Sequence, residues 1–435
     1  MSSTGQQELP APTVRALALG GIPAILIGVI SALALWAVES IAGVIADGVW
    51  TALPKALGID PSSGWWIFLI LSITGLAVGL IVWLVPGHAG PDSATTELVD
   101  KPLRIGVVPS LALAAILGLA GGVSLGPENP IIAINISILV TLVGRLWKAI
   151  PSQVVMLMAA SGTIGALFGT PVAAALVFTG IVAGVRGGGA VWDKLFLPLV
   201  AAAAGSLTMT FLAHPHFGIP MPAYTAITGW DVVASLIIAA VATALGILGA
   251  ALFPLIHRLF HALRHPVLVT LAGGLVLGVL GAIGGPITLF KGLEQMNQLV
   301  TNRSDYSAGQ LVLITVVKLA ALLVAASAGF RGGRVFPAVF IGAALGTLAS
   351  ALVPGVPLQV AVASAVLGIT LAVTRDGWIA IFIGVAVTSN LLILPILCLA
   401  VLPAWLMVTR APAMLIAPEP DATPTSPRAA PGAGR

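Results

Sequence analysis

Charged residues are scarce in this chain of 435 residues. Only 8% of the positions are Asp, Glu, Lys or Arg, whereas 58% are apolar. A soluble domain carries roughly a quarter charged residues, and a surface so poor in charge does not stay dispersed in water. The composition therefore excludes soluble enzymes and nucleic-acid-binding proteins.

Cysteine is almost absent, because Cys398 is the only one. This excludes an internal disulfide framework and a cysteine-rich metal site. The sequence also shows no His-rich metal cluster, no paired acids within apolar segments and no Ser/His/Asp arrangement, one of which a membrane-embedded enzyme would need. We therefore expect no enzymatic activity, no metal and no cofactor. Five histidines in loops or at helix ends are expected to be solvated: His214, His216, His257, His261 and His265.

Long apolar runs take the place of charge. Five stretches contain no Asp, Glu, Lys or Arg: 149–185, 195–230, 232–257, 335–374 and 377–409. A helix needs about 20 apolar residues to cross a bilayer core, so each stretch holds at least one membrane span. Clusters of Gly, Pro, Ser and Thr interrupt these and other runs at 161–163, 168–171 and 284–286. The pattern predicts an all-α, polytopic membrane protein with more than ten helices, many of them short, tilted or broken.

A polar, Pro-rich connection at residues 214–231 separates two apolar halves, 14–213 and 232–414. Each half contains a Gly-Pro motif followed by a helix of small residues, which is typical of transporters built from inverted repeats. Residues 1–13 are predicted to be a polar cytoplasmic tail. Residues 415–435, rich in Pro, Ala and Gly, are predicted to be disordered.

Glu128 is the only charged residue between Arg104 and Arg145. Gly126 and Pro127 break the preceding helix, and Pro130 suits the first turn of the next one. A helix that starts within the membrane directs unpaired N–H groups and its positive dipole end at one point, which forms an anion site. An ionised Glu held there can occupy the anion position and act as both gate and proton carrier. The alternatives are an ion pair with an arginine or a protonated core glutamate.

The second half contains a matching element at residues 327–337, followed by a small-residue helix. Arg331 and Arg334 flank the glycines before Pro337, and two cations beside a helix N-terminus strengthen an anion site. Alternatively, both arginines lie at the membrane surface and only reflect topology. A third segment of this form, residues 86–92, contains His88, which either binds the anion, titrates near neutral pH, or does neither.

These three Gly…Pro segments resemble those of the chloride channel/transporter (CLC) family over nearly the whole chain. The family's gating motif, Gly-Arg-Glu-Gly-Pro, looks like residues 126–130, its Gly-x-Phe-x-Pro motif like residues 333–337 with the aromatic displaced by one place, and Gly-Ser-Gly-Ile-Pro like residues 87–91. The residues of these motifs most resemble those of a bacterial branch of ion-transport proteins, which share runs such as Gly-His-Ala-Gly-Pro-Asp and Phe-Arg-Gly-Gly-Arg.

The resemblance implies a homodimer in the bacterial inner membrane, with an inverted repeat, one anion pathway per subunit and both termini in the cytoplasm. It also implies that Glu128 is the external gate. The implied anion-binding residues are Gly87, His88, Ala89, Gly126, Asn129, Gly333, Arg334, Val335 and Phe336. The implied helix-start prolines are Pro91, Pro130 and Pro337.

Three departures from the family pattern limit what the resemblance implies. The family's anion-coordinating serine falls on His88, and the tyrosine near its last membrane helix has no counterpart. The helix after 169–171 carries no acid in place of the inner proton-handling glutamate. Either water or another group such as His88 relays protons, or anion movement is uncoupled. Since Pro127 stands where the family has an arginine, we expect Arg334 to supply that positive potential from the opposing motif.

The sequence therefore predicts transport of a small inorganic anion, with chloride the first candidate, through a channel or a proton-coupled antiporter. The alternative is a secondary transporter of another anion, such as fluoride or a small carboxylate, that uses the same broken-helix site. The expected partners are the anion, protons, the lipid bilayer and a second subunit, with no nucleic acid.

Overall fold

A computed structural model describes residues 13–147, 150–183, 189–214 and 217–417. These residues form sixteen α-helices: α1 (Val14–Asp47), α2 (Leu53–Leu57), α3 (Gly64–Leu84), α4 (Val108–Ala120), α5 (Glu128–Leu146), α6 (Ser152–Phe168), α7 (Pro171–Ala183), α8 (Val191–Ala213), α9 (Gly229–His261), α10 (Pro266–Gly284), α11 (Leu293–Thr301), α12 (Ala308–Ser327), α13 (Val335–Leu352), α14 (Leu358–Thr374), α15 (Gly377–Thr388) and α16 (Leu394–Val408). Within the same residues, nine helical segments are long and apolar enough to cross a membrane.

Two of the three predicted interruptions separate helices. Gly169 adopts a left-handed conformation at the end of α6, and Gly285 has a positive φ after α10. The predicted break at residues 161–163 is wrong, because α6 continues through it. A Cβ on Gly162 would lie 3.0 Å from the Cα of Gly28, so this glycine permits close packing of α6 on α1 rather than a turn.

The helices of the first half recur in the same order in the second half. The lengths of α1 and α9 are 34 and 33 residues, those of α5 and α13 are 19 and 18, and α6 and α14 both have 17. The packing recurs too: α1 contacts α4, α6 and α8, just as α9 contacts α12, α14 and α16. The two starts that matter for the site, those of α5 and α13, are therefore equivalent positions in the two halves.

The helices α13 and α14 form the centre of the molecule, since nearly all of their side chains are buried. Outer helices such as α1, α9 and α16 expose large apolar side chains, among them Leu19, Ile237 and Leu406. Exposed apolar side chains on the outer helices are expected when lipid rather than water surrounds them. The start of α13 therefore lies deep inside the protein.

The described residues include only the inner ends of the two predicted tails. Residues 1–12 and 418–435 lie outside the described residues, so the predicted polar and disordered tails are described only at residue 13 and at 415–417. The prediction of disorder from 415 is wrong for Ile416, because its N–H donates to the carbonyl of Ala94 (2.8 Å). The boundaries 14–213 and 232–414 stay predictions.

Candidate functional site

The starts of α5 and α13 meet through their backbones. Gly126 and Gly333 form an isolated antiparallel bridge, in which each N–H donates to the other's carbonyl at 2.8 and 2.7 Å. A glycine with positive φ precedes each start, Gly122 in the first half and Gly329 in the second. The pair brings two helix N-termini, separated by more than 200 residues in sequence, to one buried point.

The carboxylate of Glu128 lies at this point. Its Oε1 accepts hydrogen bonds from the backbone N–H of Val335 (2.7 Å) and of Phe336 (3.3 Å). Glu128 is only 2% exposed, and among the described residues its Oε2 has no hydrogen-bond partner. An acid from the start of α5 therefore binds to the first N–H groups of α13.

Two glycines leave room for this carboxylate. A Cβ on Gly333 would collide with the Cγ, Cδ and Oε1 atoms of Glu128. A Cβ on Gly126 would collide with Oε2 and would lie 2.8 Å from the ring of Phe336. The seat of the carboxylate is thus shaped by the absence of side chains at both motif glycines.

The arrangement has the chemistry of an anion site. The first N–H groups of a helix have no partner within the helix, and the helix dipole adds positive potential there. Such N-termini bind phosphate, sulfate or carboxylate groups. Here the negatively charged group is the protein's own side chain, which lies where a free anion would bind the same donors.

The two arginines of the second motif are buried, each 9% exposed, so the alternative that they lie at the surface is wrong. Arg331 donates to the carbonyls of Ala89, Gly90 and Gly329 at 2.7–3.0 Å. Arg334 donates to the carbonyls of Met414 and, at 3.0 Å, Thr96. These bonds tie the loop after α3 and the C-terminal segment to the start of α13. That Arg334 also binds an anion stays a prediction.

Three cavities lie around the site. Each takes its name from one cation in its lining. The Arg334 cavity (about 460 Å³) is also lined by Asn129, Val335 and Asp376, and the Arg331 cavity (about 170 Å³) by Pro91, Asn129 and Pro130. The Lys291 cavity (about 380 Å³) is also lined by Glu39, Trp50 and Phe290. Lys291 Nζ lies 5.7 Å from the centre of the Phe336 ring. The residues Val335 and Phe336 thus border different spaces, because Val335 lines the Arg334 cavity and the ring of Phe336 lies beneath Lys291.

Comparison with known proteins agrees with this geometry. The family model described as "Voltage gated chloride channel" matches residues 74–409. The chain belongs to this CLC family. The "Putative ion-transport protein YfeO" of Escherichia coli K12 and that of Escherichia fergusonii are each 46% identical to it over 405 residues, which are 93% of this chain and 96% of the relative.

Solved CLC structures share the fold. A CLC-type fluoride/proton antiporter superposes with a TM-score of 0.69 at 19% identity, covering 93% of this chain and 98% of the other. A slow cyanobacterial Cl⁻/H⁺ antiporter gives a TM-score of 0.73 at 18% identity, with coverages of 89% and 94%. The predicted all-α, polytopic CLC-like fold with two inverted-topology halves is confirmed.

The first CLC motif is not brought to Glu128 in the way the sequence predicts. The side chain of His88 is exposed, and its Nδ1 bonds to the carbonyl of Val82 (2.8 Å). Pro91 does not open a helix, because the chain turns at Asp92–Thr95 and the next α-helix begins only at Val108. Asp92 favours this turn, since its Oδ1 accepts the N–H of Ala94 (3.1 Å). Gly87 and Ala89 belong to the same loop and have positive φ.

The remaining predicted residues lie at or beside the site. Pro130 and Pro337 lie in the first turns of α5 and α13, as expected for helix-start prolines. Asn129 points away from the carboxylate seat, because its Nδ2 donates to the carbonyl of Glu97 (3.2 Å). The tyrosines do not replace the family's missing one: the hydroxyl of Tyr224 donates to Asp231 (2.9 Å), and Tyr306 follows a short 3-10 helix at Arg303–Asp305.

Two cations near the site are absent from the sequence predictions. Lys291 forms an ion pair with Glu39 of α1 at 2.5 Å. Lys318 of α12 is fully buried and donates to the carbonyls of Thr288, Leu289 and Phe290 at 2.7–3.0 Å. Lys318 therefore fixes the segment that leads directly into Lys291. The sequence contains a signal for it, since Lys318 is the only charged residue between Asp305 and Arg331.

One histidine prediction is wrong and another falls outside the structure. His257 is not solvated but half-buried, and together with His261 it faces Asp92. His214, His261 and His265 are exposed as expected, and His216 lies outside the described residues. The sequence predicts no metal site, yet Asp92, His257 and His261 lie together, and all three are residue types that bind metals.

Proposed function

We propose that this CLC protein carries small inorganic anions, chloride first among them, along a pathway gated by the side chain of Glu128. The observation that carries the proposal is the bond from the N–H of Val335 to Glu128 Oε1 (2.7 Å), supported by the bond from Phe336 (3.3 Å). The carboxylate and a transported anion compete for the same donors. An anion passes only when the carboxylate leaves them.

Protonation of Glu128 weakens the binding of its side chain to the two N–H donors. A neutral carboxyl group binds helix N–H donors more weakly than an ionised one, because charge-assisted hydrogen bonds are roughly twice as strong as neutral ones. The free Oε2 of Glu128 is the atom at which a proton is accepted without breaking an existing hydrogen bond. The gate therefore opens when an anion displaces the side chain or when a proton neutralises it.

The cavities supply the two approaches to this gate. The Arg334 cavity reaches Val335, and the Lys291 cavity reaches the neighbourhood of Phe336. Each lining mixes charges, because Arg334 and Arg375 lie with Glu97 and Asp376 in one, and Lys291 lies with Glu39, Asp47 and Glu294 in the other. Attraction of an anion therefore depends on the individual charges beside the gate. Although α7 carries no acid, Glu97 and Asp376 line the Arg334 cavity. Carboxylates are therefore available there for proton exchange, if transport is coupled.

The distribution of basic residues supports an orientation in the bacterial inner membrane. Contacts of Asp92 with His261, and of Arg375 with the carbonyl of Ala411, join several loops on one face of the protein. The loops and helix ends on this face carry Lys101, Arg104, Arg258, Arg264, Arg375 and Arg410, whereas the segments around the Lys291 cavity carry Lys55, Lys291 and Arg303. Basic loops stay in the cytoplasm, so we place the first face, and with it both termini, on the cytoplasmic side.

We also propose a homodimer, as the family resemblance implies. The short helices α7 and α15 contact each other, and α8 and α16 flank them. This face exposes aromatic side chains, including Trp192, Phe211, Trp378 and Trp405. A second copy is the occupant we expect there. Cross-linking of Trp378→Cys in lipid vesicles tests it, in a Cys398→Ala background because Cys398 is exposed. A monomer at all protein-to-lipid ratios would refute it.

Anion efflux from liposomes with simultaneous recording of external pH tests the proposed function. We expect the wild type to release chloride and Glu128→Gln to lose pH dependence, because the amide cannot titrate. Proton movement that is stoichiometric in the wild type and absent in the variant indicates an antiporter. Chloride movement without protons indicates a channel. Asp305→Asn, in an exposed segment, is the matched control and should behave as wild type.

Anion preference is tested in the same vesicles. Chloride, fluoride and a small carboxylate are loaded in turn at equal concentration, and their efflux rates are compared. Release of fluoride or of the carboxylate in preference to chloride would replace chloride as the substrate. Failure to release any of the three anions would refute anion transport by this chain.

A further inference from the structure

Asp92, His257 and His261 meet on the face that carries Arg258 and Arg264. Asp92 follows the first CLC motif, while the two histidines lie one turn apart at the end of α9. Asp92 Oδ2 lies 3.3 Å from His257 Nε2 and 3.1 Å from His261 Nε2. One carboxylate oxygen therefore faces the ring nitrogens of two histidines.

The hydrogen bonds of His261 determine which of its nitrogens is free. Its Nδ1 lies 3.0 Å from the carbonyl of His257, and a carbonyl only accepts, so Nδ1 carries the hydrogen. In the neutral ring, Nε2 is then a bare acceptor that faces the carboxylate oxygen, which is also an acceptor. These two atoms repel each other unless a proton or a metal cation lies between them.

Protonation of both rings satisfies this cluster poorly, and the alternative to a metal is one proton on His261 beside a neutral His257 that donates from Nε2. The two imidazole rings are stacked, with centroids 3.8 Å apart and an interplanar angle of 21°. If both rings were protonated, two positive charges would lie in contact, and the guanidinium of Arg331 lies 4.0 Å from the other oxygen of Asp92. Three cations would then share one carboxylate. A single divalent ion instead binds two neutral rings, which removes the repulsion between them.

The spacing of the three ligand atoms is close to that of a tetrahedral metal site. Zinc bonds of about 2.0–2.2 Å to nitrogen and oxygen place neighbouring ligand atoms about 3.3–3.6 Å apart. The separation of 3.3 Å between Asp92 Oδ2 and His257 Nε2 agrees with this edge length, and the 3.1 Å to His261 Nε2 is slightly shorter. All three ligand atoms lie within 4.8 Å of one another. Two imidazoles and a carboxylate select a transition metal over magnesium or calcium.

Neighbouring groups orient the side chains of His261 and Asp92 for metal binding. The bond from His261 Nδ1 to the carbonyl of His257 fixes the ring's tautomer and orientation, as second-shell bonds do in known metal sites. Asp92 Oδ1 accepts the N–H of Ala94 (3.1 Å) and lies 4.0 Å from Arg331 Nη1, whereas Oδ2 faces the two histidines. Oδ2 is therefore the atom of Asp92 that is placed to bind a cation.

We propose that Asp92, His257 and His261 bind one divalent transition-metal ion, for which Zn²⁺ is the probe, with a fourth position left for water. The ion would join the loop after α3 to the end of α9. Arg331 holds the same loop through the carbonyls of Ala89 and Gly90. Metal binding therefore stiffens the loop beside the Arg331 cavity and is a means of regulating access from the cytoplasmic side.

Zinc binding to the purified, metal-free protein tests the proposal. The protein is prepared in detergent without a polyhistidine tag, and its affinity for Zn²⁺ is measured against a chromophoric chelator. We expect one ion per subunit in the wild type and at least tenfold weaker binding in His261→Gln and Asp92→Asn. His265→Gln is the matched control, because His265 is exposed and packs edge-to-face against Trp83 rather than facing Asp92. It should bind as the wild type does.

Cobalt provides a second readout that does not depend on transport. Co²⁺ bound at this site should show the intense visible absorption of tetrahedral coordination, and the absorption should be lost in His257→Gln. Wild-type protein that binds no zinc, or that loses binding equally with His265→Gln, would overturn the proposal and leave a cluster of ion pairs only. Size-exclusion profiles that match the wild type establish that the variants are folded.

Discussion

The starts of α5 and α13 are equivalent in the two halves, yet they contribute opposite charges to the site. Their glycines pair through two backbone hydrogen bonds. From α5 comes the carboxylate of Glu128, and from α13 come the N–H donors of Val335 and Phe336 that bind it. The repeat therefore builds two equal N-termini, and a single side chain makes one of them the ligand of the other.

In the proposed mechanism, this difference lets the site close without a separate lid. Two bare helix N-termini that meet would both attract anions and hold them strongly. Replacing the anion by a tethered carboxylate satisfies the donors when no substrate is present. It also limits how tightly a free anion is held, because the carboxylate competes for the same N–H groups. Fast release, which conduction requires, follows from this competition.

Alanine at Gly333 should have the largest effect, because its Cβ would collide with three atoms of Glu128 that lie close to the backbone of α13. Neither the carboxylate nor an anion then reaches the donors. Overpacking of ~1–3 kcal/mol corresponds to a loss of about fivefold to 150-fold in the rate of chloride efflux. Gly126→Ala should lose less, since its Cβ meets mainly the free Oε2 at the end of a flexible side chain.

The control for this pair is Gly309→Ala in the first turn of α12, where an added Cβ meets no atom within 4 Å. It should keep the wild-type rate. Equal losses for the two motif glycines would show that the two starts are functionally alike and would contradict the asymmetry. Efflux from liposomes containing each folded variant is the measurement.

Arg334→Gln should have the next largest effect. Arg334 is a buried cation directly before the donors, and Glu128 is among the charges that it interacts with. Removing its charge weakens the field at the start of α13, so we expect chloride efflux to fall by about tenfold. Arg334→Lys should recover part of the rate if charge matters more than the bonds to Thr96 and Met414.

Arg303→Gln, in an exposed segment, is the matched control for Arg334. Unchanged efflux and unchanged anion affinity in Arg334→Gln would mean that this arginine only ties the C-terminal segment to the core. Its thermal unfolding temperature would then fall while transport stays normal.

Glu128 shows how much of the site could be predicted from the sequence. A lone acid between a Gly-Pro break and a helix start was visible in the sequence, because no other charge lies between Arg104 and Arg145. Its donors were not predictable from local pattern, since they lie 207 and 208 residues away and are backbone groups. The fold class and the family followed from apolar runs and motifs, which are local features.

The errors had one local and one distant cause. Pro91 suggested a helix start, but the side chain of Asp92 stabilises a turn instead. The spacing of His257 and His261 places them on one helix face, yet only the fold shows that Asp92 completes the group. Lys318 could have been identified by the rule that selected Glu128, as the single charge in an apolar run.

Lys291→Gln should have the smallest effect of the three. Lys291 lies on the other side of the site from Arg334, but Glu39 neutralises it at 2.5 Å, and both side chains are more than a quarter exposed. Exposed pairs contribute little, so we expect chloride efflux to fall only about twofold at low salt and not at all at high salt.

The partner of Lys291 gives a test of opposite sign. Glu39→Gln leaves the lysine unpaired and should raise efflux slightly at low salt, since the net charge of the Lys291 cavity becomes more positive. The double variant should match the wild type within error, because it removes one charge of each sign and leaves the net charge of the cavity unchanged. A loss in both single variants would mean that the ion pair holds the structure of this cavity rather than its potential. Its counterpart on the other face, Arg334, would then be the only cation that acts on the anion through its charge.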